Sequence, residues 1–174
     1  MADQIRTRRL TLLPVAAGDG EALARLLEQP DVRQLFSDSD ERFGETAHRL
    51  ISDSVDAGTV GRLWRLTTTS SDRTIGLVGL RAPSVASLRL RAIGWRSLEL
   101  TVAIDPVWRR QGLATEAVAA VAAQAGADGV TFALVCCVGG QDEAAHRLMR
   151  RCGFQELGRA ASPEHPIVVY ERAV

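Results

Sequence analysis

Between Ser97 and Val138 the chain reads strand, helix, strand, and this run limits its fold more than any other feature. "SLELTVAID" (Ser97 to Asp105) is a clear strand. "GLATEAVAAVAAQAGADG" is helical to about Ala125, with Gly126 and Gly129 ending it. "VTFALVCCV" is a continuous apolar run rich in β-branched residues, as a buried strand requires. A strand, a crossover helix and a second strand place the two strands parallel, at the centre of a sheet.

The flanking segments fill out a mixed α/β domain. "RTRRLTLL" (Arg6 to Leu13) reads as a first strand with partial alternation. Gly18-Asp19-Gly20 breaks the chain, Asp19 stands where it can cap a helix over "GEALARLLEQ", and Pro30 ends that helix. A second helix is expected from Glu45 to Ala57. Strands follow at Arg62 to Thr69 and Thr74 to Arg81, joined by a hairpin connection. Ala82 to Arg96 reads as loop or short helix. "QDEAAHRLMRRCGF" is a helix stopped at Gly153, and "FQELGRA" and "IVVYERA" are closing strands joined by "ASPEHP".

Bulk composition excludes several functions. With 174 residues and 46% apolar content the chain suits one soluble domain. Its formal net charge of zero supplies no field for nucleic acid or an acidic membrane. Every basic residue is arginine, so no lysine is available as Schiff base or P-loop cation. No apolar run reaches the ~18 residues of a membrane span, and the N-terminus lacks a signal-peptide core. Three cysteines, Cys136, Cys137 and Cys152, make no disulfide framework and lack metal spacing, so no metal is expected and a reducing cytoplasm is.

One stretch asks for a ligand. In "IDPVWRRQGLATEAV", Arg109, Arg110 and Gly112 stand at the mouth of the helix. A helix N-terminus carries unpaired amides and partial positive charge, and phosphates bind there. Gly112 lets an oxygen approach the backbone closely, and the arginines add charge. Ala114 and Ala117 keep the first turn slim, and Thr115 offers a hydroxyl. The plain alternative is a turn glycine beside surface arginines. A Rossmann fingerprint needs three glycines and a P-loop needs lysine, and neither is present.

"RRQGLA" fits the R/Q-x-x-G-x-G/A motif, with Arg109, Gly112 and Ala114 in the defining places. "TRRLTLLPV", "LELTVAIDPVWRRQGLATEA" and "QDEAAHRLMRRCGF" complete a resemblance, over nearly the whole chain, to the GNAT superfamily of N-acetyltransferases. The branch resembled is the ribosomal-protein-alanine (RimJ/RimL-type) one. The resemblance implies a single N-acetyltransferase domain over residues 1–174. It implies about seven strands, a V-shaped split between the central parallel strands, and about four helices. It implies acetyl-CoA as co-substrate, its diphosphate on the amides of Gln111, Gly112, Leu113, Ala114 and Thr115 beside Arg109 and Arg110. Its pantetheine would pair with the backbone at Val102, Ala103 and Ile104, and Asp142 takes the place of an asparagine that contacts this arm.

The same resemblance implies direct transfer of acetyl to a primary amine, either a protein N-terminus or a small molecule. An α-amine, pKa ~8, is partly neutral in the cell, whereas a lysine amine requires about 4 kcal/mol to deprotonate at pH ~7.5. Glu99, at the family's strand glutamate, is the candidate base, directly or through one water; the plain alternative is an ion-paired or solvated strand glutamate. A bulge freeing an amide near Val102 or Ala103 would stabilise the thioester oxygen. Glu116 is read as structural.

Several positions depart from the family pattern: Asp142, Ala145, Thr101, Arg110, and Met149 where relatives carry a proton-donating tyrosine. His146 is expected on a solvated helix face, His165 in a loop flanking the acceptor, and His48 without a partner. Cys136 and Cys137 are expected as core thiols on opposite strand faces. Trp64, Trp95 and Trp108 are expected to pack or to form a rim, and Tyr170 to stabilise the last strand. The rival reading is a non-catalytic acyl-CoA-binding or sensory module, and a homodimer through the last strands is compatible with both.

Overall fold

The computed structural model of the chain describes residues 4–36, 51–52, 62–83, 97–129, 133–160 and 166–174. Among these residues eight strands form one mixed sheet in the order β1-β2-β3-β4-β5-β6-β8-β7. They are β1 (Ile5–Arg6), β2 (Leu10–Pro14), β3 (Leu63–Thr68), β4 (Ser71–Arg81), β5 (Ser97–Ile104), β6 (Ala133–Gly139), β7 (Gln155–Ala160) and β8 (Ile167–Ala173). Four α-helices lie among the described residues: α1 (Gly20–Leu27), α2 (Pro30–Phe36), α3 (Leu113–Ala127) and α4 (Glu143–Arg151). Ile51 and Ser52 are helical; the rest of the helix expected at Glu45 to Ala57 lies outside the described residues, as do His48, Trp95, His165 and residues 84 to 96.

The backbone forms two compact units, residues 1–79 with 101–120, and residues 80–100 with 121–174. In the first, α1 presents Leu23, Leu26 and Leu27 on one stripe, the i, i+3, i+4 spacing of a buried face. They join Val15, Val32, Leu63, Leu77 and Ala103 in a core cluster. Each fully buried Leu or Val contributes ~1.5–3 kcal/mol. Asp19 does not cap α1. Its Oδ2 accepts from Ala16 N at 2.9 Å and holds the preceding 3-10 turn, while Oδ1 lies 3.0 Å from Arg65 Nε. Pro30 opens α2 rather than closing α1, as its fixed φ and missing N–H suit the first helical position.

The single strand expected at Arg6 to Leu13 is two strands. β1 and β2 pair antiparallel, Ile5 against Leu12 and Arg6 against Thr11. The reversal is made by Thr7: its N–H donates to Leu10 O at 2.9 Å, and its Oγ1 accepts from Leu10 N at 2.9 Å.

In the second unit β5 and β6 are parallel, as the strand-helix-strand reading requires. Their pairs are Ser97↔Ala133, Leu98↔Leu134 and Glu99↔Val135. Beyond Val135, β6 continues to Gly139 with β8 as its antiparallel partner. The helix α4 begins at Asp142, whose Oδ1 accepts from Ala145 N at 2.9 Å. It stops at Gly153, φ +79°, with Gly153 N bonded to Arg150 O and Phe154 N to Met149 O. That is the Schellman arrangement, and glycine adopts its left-handed residue without strain.

Candidate active site

The turn between β5 and α3 is built by local hydrogen bonds. Asp105 Oδ1 accepts from Val107 N at 3.0 Å, and Trp108 N donates to Asp105 O at 2.8 Å, closing a 3-10 turn over Pro106–Trp108. Arg110 and Gly112 then both take left-handed conformations, φ +63° and +75°. A non-glycine residue there is strained by ~1–2 kcal/mol. The first backbone bond of α3 runs from Glu116 N to Gly112 O at 3.2 Å. The amides of Leu113 and Ala114 precede it and lie outside the helical ladder. Gln111 and Gly112 are exposed, Ala114 and Thr115 half-buried, and Leu113 buried.

The arginine of the motif does not have its whole fork at this turn. Arg109 Nε donates to Ile104 O at 2.7 Å, and its Nη2 pairs with Asp31 of α2. Arg109 thereby ties the end of β5 to α2. Arg110 is exposed.

A different arginine reaches the turn. Arg9 Nη1 donates to Gln111 O at 2.8 Å. Its Nη2 lies 3.5 Å from where a Cβ on Gly112 would stand. Glu116 fixes it: Arg9 Nε donates to Oε2 at 2.7 Å, Arg9 N to Oε1 at 2.8 Å, and Thr7 Oγ1 to Oε1 at 2.6 Å. Burial pushes the Glu116 carboxyl up. The hydrogen bonds from Thr7 and Arg9, with the charge of Arg9, outweigh that and hold it below the ordinary 4.5. Glu116 is structural, as the sequence suggests. Sequence reasoning missed Thr7 and Arg9, whose only signal was a Thr-x-Arg step inside an apparent strand.

Glu99 is buried, 2% exposed, and Arg81 Nη2 donates to its Oε1 at 2.7 Å. It is therefore an ion-paired strand glutamate, its carboxylate buried and its arginine half-exposed. In the sequence Arg81 is only a charge at the end of a strand. Val102 is half-buried, and Ala103 and Ile104 are buried. Gly76 of β4 allows β5 to come close, since a Cβ there would stand 2.4 Å from Ala103 O.

Other residues fall away from chemistry. His146 is buried rather than solvated: its Nδ1 lies 2.9 Å from Tyr170 Oη and its Nε2 3.4 Å from Gly140 O. His146 and Met149 form the inner face of α4, three residues apart. Cys136 and Cys152 are buried thiols outside any disulfide, and burial pushes both above the ordinary thiol range. Cys137 is half-buried on the opposite strand face. Trp64 is buried and Trp108 half-buried. Asp142 is exposed at the N-cap of α4, a role asparagine and aspartate share. A cavity of about 460 Å³ in the first unit is lined by Asp19, Arg25, Arg65, Arg73 and Asp105 among others. Arg65 pairs with Asp19 and Arg73 with Asp105 in its lining, which contains none of the predicted site residues. Among the described residues no group of three metal-ligating side chains occurs, and no helix is long and apolar enough to cross a membrane.

The architecture is shared with solved acetyltransferases. A Salmonella typhimurium acetyl transferase that modifies the N-terminal serine of a 50S ribosomal subunit protein superposes with a TM-score of 0.79 at 15% identity, over 98% of this chain and 99% of that one. The ribosomal-protein-S5-alanine acetyltransferase of Vibrio fischeri gives 0.78 at 10% identity, over 98% and 96%. RimL in complex with coenzyme A gives 0.78 at 15% identity, over 98% of each chain. No curated protein matches by sequence. The acetyltransferase (GNAT) domain family matches residues 9–155, a span that crosses both units and includes the turn, Glu99 and α4. The chain therefore belongs to the GNAT family and is an acetyl-CoA-dependent N-acetyltransferase.

Proposed function

We propose that the protein moves acetyl from acetyl-CoA to a primary amine, with protein N-termini as the first acceptor class and small-molecule amines as the second. The observation that carries this is the turn ahead of α3. Two left-handed residues flank an exposed Gln111, amides precede the first helical bond, Gly112 has no side chain, and a guanidinium stands alongside. That donor set suits a diphosphate. In this reading Gln111, Gly112, Leu113, Ala114 and Thr115 hold the diphosphate. Arg110 adds charge at the rim, and Arg109 orients the turn rather than meeting the ligand. The backbone of Val102, Ala103 and Ile104 and the Asp142 end of α4 are the pantetheine contacts. An amide near Val102 or Ala103 is the donor toward the thioester oxygen.

Bound there, acetyl-CoA supplies an activated acetyl thioester. The chain supplies Glu99 as the base that accepts the amine's proton, directly or through one water. Arg81 Nη2 donates to that carboxylate and supplies its counter-charge. Methionine at 149 is buried and carries no proton to donate, so the chain offers no general acid at that place. The neighbour that modifies a ribosomal N-terminal serine supports the peptide class, and the neutral net charge argues against polycationic drugs. The test is release of free coenzyme A across N-terminal Ser and Ala peptides, polyamines and aminoglycosides. Peptide acetylation that Glu99→Gln reduces at neutral pH supports the reading. Turnover indifferent to Glu99→Gln removes Glu99 as base.

A further inference from the structure

We infer that Arg9, on the N-terminal hairpin, is the cofactor-positioning arginine of the diphosphate site, with Glu116 as its anchor. The inference rests on the acetyl-CoA reading above and assigns a residue that lies about a hundred positions away from the glycine motif in sequence.

Three observations converge. First, Arg109 has two of its three guanidinium nitrogens on Ile104 O and Asp31. The motif's own cation is occupied as a latch. Second, Arg9 Nη1 fixes the carbonyl of Gln111, the residue between the two left-handed positions. With that carbonyl held, the amides that follow it are fixed in direction. Third, Arg9 Nη2 stands beside Gly112, 3.5 Å from an added Cβ, and none of the hydrogen bonds among the described residues uses it. The side chain keeps 38% of its exposure, so this nitrogen has access to a ligand on the turn.

Charge balance points the same way. Glu116 sits on the first turn of α3, 17% exposed, where an unpaired carboxylate would repel a diphosphate on the same helix end. Arg9 neutralises it with two hydrogen bonds and still has a nitrogen to offer. Thr7 shares the anchoring of Glu116 but has no atom at the turn in any of these bonds. Thr7 and Arg9 therefore separate anchoring from ligand contact.

The test measures coenzyme A affinity by calorimetry and, separately, turnover with acetyl-pantetheine, which lacks the diphosphate. Arg9→Gln should weaken coenzyme A ~10-fold or more, the scale of a lost hydrogen bond to a charged group, and leave acetyl-pantetheine turnover within ~2-fold. Thr7→Val should keep coenzyme A affinity within ~3-fold. If Arg9→Gln fails to fold, Arg9→Lys replaces it: it retains charge without the fork and should lose several-fold on coenzyme A alone. Coenzyme A affinity unchanged in the Arg9 variant overturns the inference, as does an equal loss in Thr7→Val or an equal loss on both thioesters. If wild type itself takes up no coenzyme A, the acetyl-CoA reading fails first.

Discussion

Arg81 donates to Glu99 across 2.7 Å, with the arginine side chain half in solvent and the carboxylate 2% exposed. A buried carboxylate without a counter-charge takes up a proton readily, and an arginine in contact opposes this. Arg81→Gln should therefore move the acid limb of the kcat/KM profile to higher pH. Glu99→Gln should lower kcat ~100-fold or more with coenzyme A affinity retained. An acid limb unmoved by Arg81→Gln would separate the pair from catalysis.

Glu116 links stability to acid. Its folded carboxyl lies below the ordinary 4.5 because the bonds from Thr7 and Arg9 outweigh its burial. A depressed group contributes stability that is full above the unfolded value and is lost as pH falls through the folded one. The melting temperatures of wild type and Glu116→Gln should differ most above pH ~5 and converge on acidification. A constant difference across that range would contradict the linkage.

Gly76 is a position of close approach. A Cβ there would meet Ala103 O at 2.4 Å, Ile104 Cδ1 at 3.0 Å and Leu66 Cδ1 at 3.1 Å. Gly76→Ala should destabilise by ~1–3 kcal/mol, read by denaturant unfolding. Gly18→Ala, where nothing lies within 4 Å, is the control and should be near neutral.

Asp142 caps α4 in the place of a family asparagine. Asp142→Ala should lose ~1 kcal/mol of stability, and Asp142→Asn only a few tenths. On the pantetheine reading Asp142→Asn should also tighten coenzyme A, because it restores an amide donor and removes a negative charge. Coenzyme A affinity unchanged in Asp142→Asn would take Asp142 out of the cofactor site.

Much of the fold was legible where the signal is local. The β3–β4 hairpin, β5, α3 and the stop at Gly153 follow from alternation, alanine content and a glycine that no other residue replaces cheaply. What escaped depends on distant partners. Thr7 and Arg9 interrupt a strand pattern because Glu116, on another element, draws both toward α3. His146 carries a polar side chain on a charged helix, yet it is buried because Tyr170 of β8 gives its ring a partner. Arg109 belongs to the motif, but Asp31, which engages it, gives no hint of that role from its position in the chain. In the candidate site the glycine and the amides were legible, and the arginine beside them was not.

Coenzyme A titrated calorimetrically into wild type and Gly112→Val tests the diphosphate site most directly. Valine would carry a β-branched side chain at φ +75° and into the turn where the diphosphate is placed. Saturable uptake by wild type, weakened ~10-fold or more in a Gly112→Val protein that remains folded, is the predicted result. No uptake by wild type, or equal affinity in the two proteins, would contradict it.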